Sequence, residues 1–297
     1  MEGEQVLSEV IESITHYLKE PEVTLLGLTM PIDGESQSVE EHIERSAREC
    51  YKSHEKMEPS QNVRFLRGII LRGHESVLEH ASATFRVLGG SRAYTHEQVR
   101  HRLLSFSQQS QRFVNEKDFR AILPPKIANH PQAFSIYKEL IEHARQAYAR
   151  LKELKIKNED ARFVLPNAVE SGIVISGNFR EWRHVFKLRC SKNAQWEIRR
   201  ICGMMLKEIK KHAPTVFGDL ILNEEDWTVT HISETIDCEN AQKKIFETLQ
   251  MLESKGEKGN KILKLLGDDE VYRALFHVKL CLSRRCKEAF YACGDLK

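Results

Sequence analysis

The stretch RHRLLSFSQQSQRF, residues 100–113, gathers three arginines, one histidine, three serines and three glutamines into fourteen positions. It holds neither the glycine that opens a phosphate loop nor a cysteine that could act as a nucleophile. Its guanidinium forks, amides and hydroxyls, interrupted by Phe106 and Phe113, suit a phosphate and a planar, hydrogen-bonding base. An isolated R-H-R is more often a solvated basic turn, and the density of polar groups after it weighs against that reading. On an α-helix, residues two apart point about 200° away from each other. Arg100 and Arg102 therefore either serve different ligands or stand where a helix unwinds.

Outward from this stretch, a helix is expected from Ser91 through Arg102, preceded by the alternating strand ASATFRVLG and the Gly89-Gly90 turn. VTLLGLTMP reads as a buried strand. Residues 5–18 place Val6, Val10, Ile14 and Leu18 on one helical face, and Val39, Ile43, Ala47 and Cys50 do the same for residues 38–53. VRFLRGIILRG and residues 132–155 are further helices. A Pro166-Asn167 break precedes a strand ending at Gly177, and FREWRHVFKLR and NAQWEIRRICGMMLKEIKKHA follow as two helices. The tail begins with a possible strand, DWTVTHI. Helical patterns over 234–254 and 270–292 then flank the flexible SKGEKGNK. The pattern gives an α+β protein with a core over 1–227 and a mainly helical extension over 228–297.

Composition narrows the function. Forty-five basic against 43 acidic residues leave a net charge of +2, too little for a general attraction to nucleic acid or anionic membrane. Local clusters say more: residues 176–200 carry seven Lys or Arg against two acids, and residues 86–112 carry five arginines against Glu97 alone. No run reaches the roughly 18 apolar residues of a membrane span, and the first twenty lack a signal-peptide core. Seven cysteines without a C-x-x-C pair suggest reduced thiols and a cytoplasmic protein.

Several motifs fail on spacing. No two glycines stand at i, i+2, which excludes the G-x-G-x-x-G fingerprint. Gly68 and Gly73 have P-loop spacing, but His74 stands where lysine is needed. HESVLEH, residues 74–80, has one residue too many for a zincin, and no metal site is expected. A nucleic-acid-binding module remains the rival, with residues 180–200 as a basic helical surface and Trp182 or Trp196 stacking on bases.

R-H-R, seven residues, then Ser110 resembles the signature of the flavin-dependent thymidylate synthases. GHESVLEHAS before it, THEQVRHR leading into it, and ARFVLPNAVESGIVISGNFREWRHVFKLR with AQWEIR after it follow that family's order over residues 23–220. The resemblance implies a mostly antiparallel sheet flanked by helices, a homotetramer with shared active sites, and reductive methylation of dUMP to dTMP. It further implies 5,10-methylenetetrahydrofolate as one-carbon donor, NADPH as reductant and FAD as cofactor. No enzyme nucleophile is used, and none of the prolines precedes a cysteine.

Position by position, the resemblance implies FAD contacts at Ser76, Arg100, His101, Arg102, Gln108, Asn178, Phe179, Arg180 and His184. For dUMP it implies Glu97, Gln98, Val99, Arg100, Gln108, Gln109, Ser110, Gln111, Arg112, Arg162 and Arg189. Arg189 is the implied catalytic residue. A fixed guanidinium stabilises the N3-deprotonated uracil, which pushes electron density toward C5. Some members carry Glu at the position of Gln108. The resemblance says nothing about residues 228–297.

Overall fold

The structure, a computed structural model, describes residues 17–18, 20–32, 34, 36–58, 61–234, 238–254 and 269–282. The chain opens with β1 (Tyr17–Leu18), β2 (Glu22–Leu28), α1 (Val39–Glu49) and α2 (Asn62–Arg72). A 3-10 segment (Glu75–His80) leads into β3 (Ser82–Leu88), α3 (Arg92–Gln98), β4 (Ser105–Gln108) and β5 (Ala121–Ile122). Then come α4 (Pro131–Glu153), β6 (Ile173–Asn178), α5 (Phe179–Arg189) and α6 (Trp196–Ile209). The tail supplies β7 (Leu220–Leu222), β8 (Val229–His231), α7 (Cys238–Ser254) and α8 (Asp269–Leu282). Mixed helices and sheet give the expected α+β class.

The chain divides into two compact units, Met1–Leu26 with Thr84–Ser176, and Gly27–Ala83 with Gly177–Lys297. A four-stranded sheet runs in the order β2-β3-β6-β4. In the first unit, β4 lies antiparallel to β6 with Ser105 opposite Ser176 and Gln108 opposite Ile173. This register puts the serine-glutamine run at the end of an edge strand. Around Phe119, Ala121, Ile141, Ala144 and Val169 a second small core forms under α4. Tyr137 on α4 donates its hydroxyl to the Ile122 carbonyl at 2.7 Å.

The second unit is built on the buried face of α5. Trp182 stacks on Phe186 at 5.7 Å, and Phe217 meets Phe179 and Phe186 edge-on at 5.2 and 5.8 Å. Burial of each such ring is worth about 1.5–3 kcal/mol or more. Sharp caps start the helices: Ser38 Oγ accepts from Glu41 N on α1, and Asn178 Oδ1 accepts from Glu181 N on α5. In the tail, Tyr272 of α8 packs with Ile70 of α2 and with Ile232, while Val271 packs against Ile245 of α7.

Three expectations are corrected. VTLLGLTMP is a strand but not a buried one. None of its residues is buried and Leu26 is 51% exposed, and β2 ends the strand order, which leaves its outer edge unpaired among the described residues. The helix from Ser91 stops at Gln98 rather than Arg102. Cys50 is exposed because α1 ends one residue before it. The stretch 74–80, which failed as a zincin motif on spacing, forms a 3-10 segment over Glu75–His80. At about 2.0 Å rise per residue its two histidines stand roughly 12 Å apart along the axis, which still excludes a shared metal. Of the helix expected over 5–18, residues 5–16 lie outside the described residues, and Tyr17 and Leu18 pair in parallel with Ala121 and Ile122. The SKGEKGNK linker beyond Ser254 and the last ten residues of the expected 270–292 helix also lie outside the described residues.

Candidate active site

In the first unit, α3 is fixed by Ser91, whose Oγ accepts from Tyr94 N at 3.0 Å. After Gln98 the backbone leaves the helix through single-turn bonds, Arg100 N to Glu97 O and His101 N to Gln98 O. The unwinding answers the geometric problem of the R-H-R triplet: Arg100 and Arg102 are exposed while His101 turns inward, 6% exposed. Gln98 is fully buried, and Glu97 and Val99 are half-buried on the same turn.

From the end of β4 onward the polar run is tied down. Gln108 Nε2 donates to Thr95 Oγ1 at 2.8 Å and to Ser171 Oγ at 3.0 Å. Its amide nitrogen is thus taken up, and its carbonyl oxygen is what it can offer a ligand. Gln109 is held at both ends, Nε2 to Glu116 Oε1 at 3.0 Å and Oε1 from Gly172 N at 3.4 Å. Burial, first, pushes the Glu116 carboxyl above its usual range, and the Gln109 bond partly offsets that. Gln111 is buried, and its Nε2 has no hydrogen-bond partner among the described residues. An orphaned buried donor costs about 1–3 kcal/mol, which a polar ligand would recover.

Two arginines of this unit bond Glu159 at different atoms. Arg112 Nε donates to Glu159 Oε2 at 2.8 Å, and Arg162 Nε donates to the Glu159 carbonyl at 3.1 Å. Arg92 was not singled out by the sequence. It is half-buried, and burial followed by the charge of Arg162 lowers its pKa. Two guanidiniums that raise each other's cost are stabilised by an anion between them. The signal was present in the count of five arginines over residues 86–112, but only the fold picks out Arg92.

In the second unit, a cleft of about 460 Å³ is floored by Ala47, Phe65, Ile69 and Val77 and edged by His74, Ser76 and Arg180. An apolar floor with hydroxyl and guanidinium donors at its rim fits a flat ring system bearing an anionic chain, as FAD has. Arg180 pairs with Glu79 at 2.5 Å on the surface. His184 is exposed and Arg189 is half-buried in the last turn of α5. Phe179 has its ring in the aromatic core and its N–H on the Ala81 carbonyl at 2.8 Å. It can offer a ligand only its main-chain carbonyl.

The basic surface of the rival reading is thinner than its charge count. Trp182 is fully buried, with Nε1 on the Ala83 carbonyl at 3.1 Å, so it cannot stack on bases. Arg183 lies inside with Asp219. A basic amphipathic helix hides which of its cations face inward until partners distant in sequence are known.

Residues 34–215 match the family described as thymidylate synthase complementing protein. The chain is 41% identical over 212 residues to a flavin-dependent thymidylate synthase of Mycobacteroides abscessus, covering 65% of this chain and 85% of that one. It is 43% identical over 182 residues to a protein of the same name from Geobacter sulfurreducens, covering 59% and 78%. The fold is similar to that of a UMP/dUMP methylase, PolB from Streptomyces cacaoi, solved bound with 5-Br dUMP. That likeness has a TM-score of 0.61 at 21% identity and covers 68% of this chain and 95% of the other. With the signature stretch on its turn and edge strand, and more than half the sequence matched, the chain belongs to the thymidylate synthase complementing protein family, the flavin-dependent thymidylate synthases.

Proposed function

We propose that the protein methylates dUMP at C5 to give dTMP, with 5,10-methylenetetrahydrofolate supplying the one-carbon unit. The observation that carries the nucleotide site is the buried Gln111 amide with no hydrogen-bond partner among the described residues, next in sequence to Arg112, whose guanidinium bonds the Glu159 carboxylate while Arg162 bonds the Glu159 carbonyl. Those groups meet the phosphate and the polar edge of dUMP, with Ser110 adding a hydroxyl donor. Glu97 through Arg100 add further nucleotide contacts, and Gln108 offers its carbonyl oxygen. Bound and reduced by NADPH, FAD would supply the hydride that completes the methyl group.

The chain's own residues bind and polarise. Arg100, His101 and Arg102 hold the cofactor from the turn after α3. Ser76, Asn178, the Phe179 main chain, Arg180 and His184 make its further contacts. Arg189 holds the uracil ring in its N3-deprotonated form, raising electron density at C5, which attacks the methylene carbon directly. No side chain needs to act as nucleophile. The protein works as a cytoplasmic homotetramer with sites shared between subunits. Its partners are small molecules rather than nucleic acid or membrane. Residues 1–227 carry the chemistry, and residues 228–297 are a packing extension.

Arg189→Ala tests the assignment of the catalytic group. The variant is expected to keep its flavin, read from the visible spectrum. Its turnover should fall by about 10²-fold or more, the scale for a lost electrostatic group. Full retained activity would remove Arg189 from the mechanism.

A further inference from the structure

We infer that Arg183 is a positioning residue for the flavin site, a proposal that rests on the assignment of Ser76, Arg180 and His184 as cofactor contacts. Arg183 lies on the inner face of α5, with its side chain 1% exposed. Its Nη1 and Nη2 donate to Asp219 Oδ1 and Oδ2 at 2.6 and 2.7 Å, a two-pronged match, and Nη1 also donates to the Val216 carbonyl. The remaining nitrogen, Nε, donates to Glu75 Oε1 at 3.3 Å. One planar guanidinium therefore bonds to two carboxylates on separate segments, which a lysine ammonium cannot reproduce at these directions.

What it joins is the point. Glu75 immediately precedes Ser76, and both border the apolar cleft. Arg183 is flanked on its helix by Arg180 and His184, which are exposed. The guanidinium thus fixes the 74–76 segment against the helix that carries the other cofactor contacts. Its own angle is set from behind: Asp219 is fully buried and meets His231 Nε2 at 3.2 Å, while His231 Nδ1 meets Ser233 Oγ at 2.7 Å. A second ion pair between this helix and the 3-10 segment, Arg180 with Glu79, is half-exposed and counts for little in water. Lys187 also approaches Glu75, at 3.7 Å and from a more exposed position.

The test measures FAD affinity by titrating flavin-free protein with FAD. In Glu75→Ala, affinity is expected to fall about ten-fold, the scale of one hydrogen bond to a charged group, with the KM for dUMP unchanged; the buried Arg183 Nε, left without its acceptor, also lowers the thermal midpoint. Glu75→Gln, which still accepts from Arg183 Nε, restores most of the loss. Lys187→Ala changes affinity no more than about two-fold. Arg183→Lys alone lowers affinity, and adding Glu75→Ala lowers it no further, because the Nε–Glu75 bond is already lost in Arg183→Lys. Multiplying losses in the double variant, or unchanged affinity in Glu75→Ala, would overturn the proposal. Amide exchange over residues 74–81 in flavin-free protein reads the clamp without the cofactor: it is expected to quicken in Glu75→Ala and to recover in Glu75→Gln. Wild-type protein that takes up no FAD would sink the functional reading, while the exchange result would still decide for or against the clamp.

Discussion

Asp219 shows how much a single side chain in this protein depends on its partner. Burial works to raise its pKa, but the charge and hydrogen bonds of Arg183, helped by His231, outweigh burial and hold the carboxyl well below the usual range. Arg183 is likewise pressed by burial toward neutrality and kept charged by Asp219. Both side chains are essentially inaccessible, so neither charge has water to fall back on. Breaking such a pair from one side costs about 3–5 kcal/mol, and Asp219→Asn should lose that much in urea unfolding at pH 7. The sign of the pH dependence follows from the depressed pKa. The stabilisation is complete above the unfolded carboxyl pKa of about 3.9 and fades as pH falls below it. The gap between wild type and Asp219→Asn should therefore narrow at pH 3, and an equal gap at both pH values would contradict this account.

At the scale of elements, close packing and local preference pull against each other in α6. Gly203 sits in the helix interior, where alanine would ordinarily gain about 1 kcal/mol. A Cβ there would meet Trp227 Cε3 at 2.8 Å and Trp227 Cβ at 3.2 Å. Trp227 has a left-handed backbone, φ +62°, and cannot easily move aside. Overpacking costs about 1–3 kcal/mol, so Gly203→Ala is expected to lower the thermal midpoint; a raised midpoint would show that Trp227 yields. Such opposition also explains what the sequence disclosed and what it hid. α1, α4, α5, α6 and β3 are set by their own periodicity and caps, and all are legible. The end of α3 is not, because Val99 to Arg102 contains no helix breaker. What ends it is tertiary, with the chain turning so that His101 is buried and the serine-glutamine run enters β4 opposite β6. The openness of β2 was hidden for the same reason, since strand order is not written in any one strand.

For the molecule as a whole, the candidate site was legible as a set of residues but not as an arrangement. The R-H-R triplet, the serine-glutamine run and Arg162 could be named from sequence because their spacing repeats a family pattern. Arg92 beside Arg162, the locked side chain of Gln109 and the inward Arg183 could not, since each depends on a partner brought close only by folding. The extension illustrates the same limit: its near-neutral composition singles out no residue, yet His231 reaches Asp219 and Tyr272 packs on Ile70. The central claim is that this chain makes dTMP from dUMP with a bound flavin. It is tested most directly by incubating the purified wild-type protein with C5-tritiated dUMP, 5,10-methylenetetrahydrofolate and NADPH, and measuring tritium release together with dTMP. A yellow protein that forms dTMP and releases tritium in step, only when the folate is present, is the expected result; a colourless protein that forms no dTMP even with added FAD would contradict it.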